Sequence, residues 1–266
     1  MNHISQILQK KRKSSTCALI PFVTAGYPNP DVTIDILYTL DNNGADIIEL
    51  GIPYSDALAD GPTIQKSSKI ALDQGVYVDQ VLGILNRVKS KLTVPIIIFT
   101  YYNPILVRGI LRFIEEISSR GVKGLIIPDL PIEETDYLVY LCLDYSIELI
   151  LFVAPNSPKD RILSILDKAP GCIYLVSSTG VTGVRNNLNN NINKLSSYIK
   201  NNTGKCIMLG FGISNVSQVA QVSRWDIDAL VIGSAFTRVL SSYLDHKSAV
   251  DSVGFFCNEM KSAIKS

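Results

Sequence analysis

An α/β barrel of eight repeated strand–helix units is the fold class that the sequence predicts, and two observations predict it. Eight short apolar runs recur along the 266 residues, at residues 18–24, 46–51, 95–101, 124–129, 148–154, 173–177, 206–210 and 229–233. They do not alternate between apolar and polar residues, as expected for parallel strands that are covered on both faces. Most are separated by enough chain for one crossover helix. The chain, residues 1–266, is therefore expected to form a single (β/α)8 barrel domain of the TIM type.

The segments between these runs carry the spacing of amphipathic helices. The clearest stripe has apolar residues three and four apart, at Val78, Val81, Leu82, Leu85 and Val88. The interval between the second and third runs is the longest, and it has room for an extra helix at about residues 63–73. Another extra helix is expected at the N-terminus. The alternative, an open doubly wound sheet, usually has a Gly-x-Gly-x-x-Gly motif after its first strand, and residues 24–28 lack that motif.

Composition narrows the function classes. Hydrophobic residues make up 47% and charged residues 18% of the chain, so a large core is expected. A formal net charge of +1 gives no electrostatic reason to expect a nucleic acid or membrane partner. We expect a soluble intracellular protein, in the cytoplasm or the plastid stroma, because no run is long enough to span a bilayer and residues 1–13 lack a signal-peptide stretch. Frequent Ile, Lys and Asn hint at an AT-rich genome such as that of a plastid.

Cysteine and asparagine usage adds two further predictions. The five cysteines are widely spaced, without a Cys-x-x-Cys pair, and are predicted to be reduced packing residues. Residues 185–194 contain six asparagines and are predicted to form a mobile loop. Such a loop arises by compositional drift where the chain is unconstrained, or it serves as a lid over a substrate.

The chemistry of a barrel comes from the C-terminal ends of its strands, and these ends are poor in histidine and lysine. His3 and His246 lie away from the predicted strand ends, and Lys123 and Lys205 precede their strands. Histidine-based metal sites, catalytic triads and Schiff-base chemistry are therefore not expected, and we predict no metal. The remaining acid/base candidates are three carboxylates, Glu49, Asp60 and Asp129.

Each carboxylate has a structural alternative. Glu49 ends an apolar run, where burial would raise its pKa into a useful range, but it could instead cap a backbone or pair with an arginine. Asp60 lies in a loop stiffened by prolines, and the alternative is an N-cap for a helix that starts near Thr63. Asp129 lies between two prolines, which favours a structural or interface role over catalysis.

Three glycine-containing turns follow the last three predicted strands, at residues 178–183, 210–214 and 233–235. Glycine lets backbone N–H groups approach an anion, and barrels bind substrate phosphates at this place. Four aromatic residues fall near the same end, namely Phe22, Tyr101, Tyr174 and Phe211. Each is individually explained by core packing, but together with the carboxylates they indicate an aromatic substrate that bears a phosphate.

Six segments carry a resemblance to a known family: residues 21–26, 49–56, 58–65, 180–183, 210–213 and 233–235. They strongly resemble the tryptophan synthase alpha chain family, and the stretch from Glu49 to Gln65 is the most specific. The resemblance implies a lyase of tryptophan biosynthesis. Its reaction would be the retro-aldol cleavage of indole-3-glycerol phosphate to indole and glyceraldehyde 3-phosphate.

The resemblance also implies roles for individual residues. Glu49 would be the general acid/base that protonates the indole ring carbon and helps to remove the glycerol hydroxyl proton. Asp60 would hydrogen-bond the indole N–H. The phosphate would be held by Gly183, Gly212, Gly233 and Ser234. The rest of the pocket would be lined by Phe22, Tyr174, Thr182 and Phe211, and we add Tyr101 from the aromatic set as a substrate-binding residue.

A partner chain is implied as well. Family members pair with a beta chain that carries pyridoxal phosphate, so an α2β2 heterotetramer is expected, with no cofactor in this chain. Asp56 and the turn at residues 128–131 resemble interface elements. Ala57 stands where the family usually has proline, so the loop that bears Asp60 is expected to be more flexible.

Two other functions compete with this one. One is a phosphosugar barrel enzyme without an indole step, which would have no need for Asp60. The other is a non-catalytic phosphate-binding barrel that activates a partner chain. Intact Glu49 and Asp60 argue against the second.

Overall fold

The computed structural model describes residues 2–176, 190–210, 212–242 and 245–265, and its strands form a closed barrel. Eight parallel strands pair in chain order, and β1 pairs with β8. They are β1 (Ala18–Thr24), β2 (Ile48–Gly51), β3 (Ile96–Phe99), β4 (Gly124–Ile126), β5 (Glu148–Val153), β6 (Ile173–Val176), β7 (Ile207–Gly210) and β8 (Ala229–Ile232). The predicted fold class is confirmed.

The helices surround the barrel, and the N-terminal helix covers the lower end, where the strands begin. They are α1 (His3–Lys13), α2 (Pro30–Asn42), α3 (Pro62–Asp73), α4 (Val78–Val88), α5 (Tyr102–Arg108), α6 (Ile110–Ser118), α7 (Thr135–Asp144), α8 (Lys159–Lys168), α9 (Asn190–Asn202), α10 (Val216–Val222), α11 (Ser234–Ser241) and α12 (His246–Lys265). A short 3₁₀ helix, Ile132–Glu134, precedes α7. The predicted N-terminal helix is α1, and the predicted extra helix after the second strand is α3. Within the described ranges, no helix is both long enough and apolar enough to cross a membrane.

Alternate residues of the strands enter two separate layers of core. In β1, Ala18, Ile20 and Phe22 belong to the cluster inside the barrel, whereas Leu19 and Val23 belong to the layer between the strands and the helices. This explains the uninterrupted apolar runs, because both faces of a parallel strand are covered. The five cysteines are free and buried, as predicted for packing residues.

Several predicted strands were too long at their ends. The fourth run was expected to extend to residue 129, but β4 ends at Ile126. Two prolines at positions 128 and 131 explain the early end, because proline has no N–H to donate to a neighbouring strand. The carboxyl ends of the strands still meet at one mouth of the barrel, which is where the predicted site residues lie.

The asparagine-rich segment was predicted as a loop over residues 185–194, and part of that prediction was wrong. Helix α9 begins at Asn190, so residues 190–194 are helical. Ile192 and Ile199 are both buried, and they lie on one helical face because seven residues make about two turns. Burial of that face outweighs the low helix propensity of asparagine. Residues 185–189 lie outside the described part of the chain, as does the predicted lid.

Candidate active site

One cavity at the mouth of the barrel brings together seven of the predicted site residues. Its wall contains Glu49, Asp60, Phe22, Tyr174, Gly212, Gly233 and Ser234, together with Ile64, Phe99 and Val231. The predicted residues come from four strands or the loops that follow them, β1, β2, β6 and β8, and from the loop after β7. Thr182, Gly183 and Phe211 lie outside the described residues. Tyr101 is described, and its hydroxyl contacts Asp60, but it is not among the residues that line this cavity.

Glu49 points from β2 into the barrel interior. Its strand neighbours Phe22 and Ile97 belong to the interior cluster, and the side chain is only 2% exposed. Its Oε2 atom is buried and has no hydrogen-bond partner among the described residues. Burial, and secondarily the negative charge of Asp60, raise the pKa of Glu49 to about 8. The carboxyl is therefore protonated at neutral pH and has an oxygen available to a ligand.

Asp60 faces the same cavity from the loop after β2. Its Oδ2 accepts a hydrogen bond of 3.0 Å from the Tyr101 hydroxyl. Burial raises the pKa of Asp60 to about 6, and the hydrogen bond from Tyr101 partly opposes that shift. The N-cap of α3 is Gly61, without a side-chain cap, so the capping alternative for Asp60 is not supported.

The two carboxyl groups differ in protonation state. Near pH 7 the higher pKa of Glu49 keeps that group mostly protonated, whereas Asp60 is mostly ionised. Pairs of titratable groups whose pKa values are pushed apart are typical of acid/base sites, because one group can donate a proton while the other holds a negative charge. This arrangement can protonate a substrate at one atom and stabilise positive charge at another.

Asp129 is not part of this cavity. Its Oδ1 accepts a 2.9 Å hydrogen bond from the backbone N–H of Tyr102, at the start of α5. A carboxylate at a helix N-terminus satisfies an orphan N–H and interacts favourably with the helix dipole. Of the roles considered for Asp129, the structural one is favoured.

Aromatic side chains form the apolar part of the wall. The rings of Phe22 and Phe99 meet edge to face, with centroids 5.8 Å apart. Tyr174 lies against Phe152, with centroids 4.7 Å apart, and burial raises the pKa of its hydroxyl well above the usual value. These rings form a surface against which a flat apolar part of a ligand could pack.

The ring of Tyr174 depends on a glycine of the next strand. A Cβ atom placed on Gly210 would lie 2.1 Å from the Tyr174 hydroxyl oxygen. Only glycine leaves room for the tyrosine at this point. Gly210 is thus needed for packing against the site.

The far side of the cavity offers backbone donors. Gly233 is the N-cap of α11, and Ser234 is the first residue of that helix. Gly212, which has a φ of +85°, lies on the same wall. The first N–H groups of a helix have no intrahelical partner and carry partial positive charge, so this wall is suited to an anion.

Phe99, Ile64 and Val231 also line the cavity and were missed from the sequence. Phe99 is the last residue of β3, whereas the third run was expected to extend to Tyr101. The signal that could have found Phe99 is the two-residue alternation along the strand, which places residues 97 and 99 on the same face. Among the described residues, no group of three His, Cys, Asp or Glu side chains is arranged to hold a metal ion.

Comparison with known proteins gives the family. The model of the family "Tryptophan synthase alpha chain" matches residues 8–265. The tryptophan synthase alpha chain of Gracilaria tenuistipitata var. liui is 58% identical over 264 residues, covering 99% of this chain and 97% of the relative. That of Antithamnion sp. is 57% identical and covers 99% of each.

Solved structures agree with the sequence relatives. A structure of Mycobacterium tuberculosis tryptophan synthase superposes with a TM-score of 0.91 at 27% identity, covering 100% of this chain and 99% of that chain. The Legionella pneumophila alpha subunit superposes with a TM-score of 0.90 at 29% identity, with the same coverage. With a full-length family match and relatives well above 30% identity, the chain belongs to the tryptophan synthase alpha chain family and is the lyase of the alpha reaction in tryptophan biosynthesis.

Proposed function

We propose that Glu49 transfers the protons of the alpha reaction and that Asp60 stabilises the positive charge that develops on the substrate. That reaction cleaves indole-3-glycerol phosphate into indole and glyceraldehyde 3-phosphate. The observation that carries the proposal is the Oε2 atom of Glu49, which is buried at the cavity without a hydrogen-bond partner among the described residues. A buried carboxyl group is costly to leave unpaired, so such an atom at a cavity points to a ligand that completes it.

Glu49 starts the reaction as an acid. Its proton passes to the indole ring carbon that carries the glycerol chain, which turns the ring into an indolenine cation. Glu49, now a carboxylate, accepts the proton of the adjacent glycerol hydroxyl. The C–O bond becomes the aldehyde C=O, the C–C bond to the ring breaks, and its electron pair restores the aromatic indole. The proton gained by carbon thus equals the proton lost by oxygen.

Asp60 stabilises the intermediate. Its carboxylate accepts a hydrogen bond from the indole N–H as positive charge develops on the ring nitrogen. An ionised group is required for this, and the pKa of Asp60, about 6, leaves it ionised at neutral pH. The separation of the two pKa values supports the assignment of the acid role to Glu49 and the electrostatic role to Asp60.

The phosphate of the substrate binds at the opposite wall. Backbone N–H groups at Gly212, Gly233 and Ser234 are the proposed donors, supported by the N-terminus of α11 at the cavity. Gly183 is proposed as a further donor from the loop after β6. Phe22, Tyr174, Thr182 and Phe211 are proposed to line the indole and glycerol part of the pocket.

The variant Glu49→Gln tests the acid role. It keeps the size and polarity of the side chain but cannot transfer the proton, so cleavage of indole-3-glycerol phosphate should fall by about 10² to 10⁴-fold. Binding of glycerol 3-phosphate, a probe of the phosphate wall, should stay near normal in calorimetry. The control is Asp31→Asn, which changes a carboxylate whose side chain is 75% exposed. Turnover by Glu49→Gln equal to wild type would show that another group moves the protons.

We further propose a beta chain as partner, in an α2β2 heterotetramer whose pyridoxal phosphate belongs to the beta chain. A structure titled as a tryptophan synthase complex, from Pyrococcus furiosus, superposes on this chain with a TM-score of 0.85 at 30% identity. Around the mouth of the barrel, Leu58 and Val107 are more than four-fifths exposed, and Asp56 lies beside Leu58. Large apolar side chains exposed on one rim are typical of a docking face. The turn at residues 128–131 is proposed to belong to the same face.

A charge placed on this rim tests the partner proposal. Val107→Asp should weaken assembly with a tryptophan synthase beta chain by at least tenfold in sedimentation velocity, since it would bury an unpaired charge. The matched control is Phe255→Asp on α12, another exposed apolar residue away from the mouth. Assembly of Val107→Asp with wild-type affinity would place the partner elsewhere.

The plastid stroma is the proposed location. Two of the similar alpha chains come from the red algae Gracilaria tenuistipitata var. liui and Antithamnion sp.. Immunodetection in purified plastids, with separated stroma and thylakoids, should recover the chain in the stromal fraction. Recovery in the cytosolic fraction alone would reject this location.

A further inference from the structure

Tyr101 makes two hydrogen bonds through a single hydroxyl group. The hydroxyl oxygen accepts a 3.1 Å bond from the backbone N–H of Ala59, and it lies 3.0 Å from Asp60 Oδ2. A backbone N–H can only donate, so the hydroxyl is the acceptor toward Ala59. Its one proton is then directed at Asp60. A donor aimed at a carboxylate stabilises the ionised form of that carboxylate.

The ring of Tyr101 is held from both sides. It stacks on Tyr54, with centroids 5.2 Å apart and planes at 30°, and it meets Phe99 edge to face at 6.1 Å. The side chain is 2% exposed. Packing fixes the ring and therefore the position of its hydroxyl. The two hydrogen bonds of that hydroxyl then hold Ala59 and Asp60, and with them the loop after β2, in place.

Gln65 also restrains the loop that bears Asp60, through the backbone of that loop. Gln65 binds the carbonyl oxygens of Ala57 and Asp60, at 3.3 Å and 2.8 Å. Those bonds fix the backbone, but they leave the carboxylate of Asp60 free to rotate. The hydroxyl of Tyr101 is the donor that the described hydrogen bonds assign to that carboxylate.

We propose that Tyr101 is a positioning residue, which holds the carboxylate of Asp60 ionised and aimed at the indole N–H and does not itself contact the substrate. The inference rests on the proposed role of Asp60. It differs from the substrate contact that the aromatic set predicts for Tyr101, because the Tyr101 hydroxyl is directed at Asp60 and Tyr101 is not among the residues that line the cavity.

The charged and titratable groups around Asp60 set the pH dependence. Glu49 from β2 and Tyr174 from β6 face it across the cavity, and Tyr101 faces it from the N-cap of α5, just after β3. Burial raises the pKa of Tyr101, so its hydroxyl stays protonated through the working range. Loss of this hydroxyl removes a factor that lowers the pKa of Asp60, and the pKa of Asp60 must then rise.

The test is the pH profile of kcat/KM for Tyr101→Phe. For the wild type we expect a bell with limbs near pH 6, where Asp60 must be ionised, and near pH 8, where Glu49 must be protonated. In Tyr101→Phe the acid limb should move up by about one pH unit while the alkaline limb stays, since a hydrogen bond to a charged group is worth about that much. At pH 7, kcat/KM should fall by about tenfold because the carboxylate is also less well aimed.

Two controls separate this role from a structural one. Tyr102→Phe removes the hydroxyl of the neighbouring tyrosine and should leave the profile unchanged. Binding of glycerol 3-phosphate should be unaffected in Tyr101→Phe, because the phosphate wall is on other strands. A uniform loss at all pH values with an unmoved acid limb would mean that Tyr101 merely supports the fold, and would overturn the proposal.

A double-variant comparison separates failure of this proposal from failure of the proposed function. If Tyr101 acts through Asp60, adding Tyr101→Phe to Asp60→Asn should cause less than a twofold further loss of kcat/KM. A full tenfold further loss would assign Tyr101 a role of its own and reject the inference. If Asp60→Asn alone leaves cleavage at the wild-type rate, the role proposed for Asp60 is wrong, and the inference about Tyr101 fails with it.

Discussion

A carboxyl group buried without a partner lowers stability whenever it is ionised, and Glu49 is such a group. Burial raises its folded-state pKa to about 8, above the ordinary value of 4.5, so the folded protein holds this proton more tightly than the unfolded chain. Stability from this group is therefore fully present below pH 4.5 and is lost as pH rises toward 8. The proton-donor role proposed for Glu49 would therefore come at a cost in stability.

The loss of stability with rising pH gives the first prediction. Glu49→Gln removes the ionisable group, so its melting temperature should exceed that of the wild type at pH 9 and differ little at pH 5. Differential scanning calorimetry at the two pH values measures this, with Asp31→Asn as the surface control. An equal effect at both pH values would show that Glu49 is not protonated by burial in the folded protein.

A second prediction concerns Gly210, whose added Cβ would collide with the Tyr174 hydroxyl. In Gly210→Ala the Tyr174 ring must move away from the added Cβ, and because this ring lines the cavity, kcat/KM should fall by about 10 to 100-fold. The matched control is Gly83→Ala in α4, where an added Cβ meets nothing within 4 Å. That change should instead stabilise the fold by about 0.5 to 1 kcal/mol. Steady-state kinetics and urea unfolding of the two variants decide, and unchanged activity in Gly210→Ala would contradict the prediction.

How far the site could be predicted depends on the kind of residue. Glu49 was found from the sequence because it ends an apolar run at the catalytic end of a strand. Phe99 was missed, because the third run was expected to extend to Tyr101 and the exact end of β3 decides which residues face the cavity. Strand ends are fixed by pairing with neighbouring strands that are distant in sequence, and local patterns do not contain that information.

At the scale of elements, helix α1 closes the lower end of the barrel through buried carboxylates. Glu148, at the start of β5, accepts hydrogen bonds from both the backbone and the side chain of Ser5 in α1. Asp228, just before β8, receives two hydrogen bonds from Arg12, at 2.6 and 2.8 Å, and a further ion pair from Lys200. Each carboxylate also accepts a hydrogen bond from a backbone N–H: Glu148 from Cys172, and Asp228 from Ile207.

The third prediction is that Arg12→Ala weakens the attachment of α1 to the barrel and so lowers the stability of the fold. Removing one of the two cations from a buried carboxylate should lower the free energy of unfolding by about 2 to 3 kcal/mol, less than for a carboxylate left wholly unpaired. Urea unfolding measures the loss, and Lys10→Ala, an exposed lysine of the same helix, should change it by less than about 0.5 kcal/mol. An equal effect of the two variants would contradict the prediction.

The ion pair between Arg12 and Asp228 should also change how the stability of the fold depends on pH. Burial alone would raise the pKa of Asp228, but hydrogen bonds from Arg12 and Lys200 outweigh burial and lower it below the ordinary 3.8. Its contribution to stability is present above pH 3.8 and is lost as pH falls through the lower folded-state value. Arg12→Ala should therefore lose less stability than the wild type between pH 5 and pH 3.

Elements were predicted more reliably than their ends. Eight strands and two extra helices were expected from apolar runs and helical spacing, and all of them are present. The start of α9 was not expected, because asparagine predicts a loop locally whereas burial of Ile192 and Ile199 depends on the barrel beneath them. Tertiary packing overrides local propensity at such places.

For the whole molecule, the barrel keeps stability and catalysis at opposite ends. Helix α1 and the buried carboxylates Glu148 and Asp228 lie at the N-terminal ends of the strands. Glu49, Asp60 and Tyr101 lie at or beyond the C-terminal ends. Along β1, Ala18 lies next to Asp228 and Phe22 lies next to Glu49, and the four residue steps between them span about 13 Å. Changes this far apart, without shared partners, act independently.

The last prediction tests that independence. In the double variant Arg12→Ala plus Glu49→Gln, the two changes in the free energy of unfolding should add to within about 0.5 kcal/mol at pH 9. In contrast, Glu49→Gln plus Asp60→Asn should not add, because burial and mutual repulsion couple those two carboxyls. Urea unfolding of the single and double variants measures both cycles. A coupling above about 1 kcal/mol between Arg12 and Glu49 would mean that strain passes through the barrel, and that its lower end helps to set the acidity of the site.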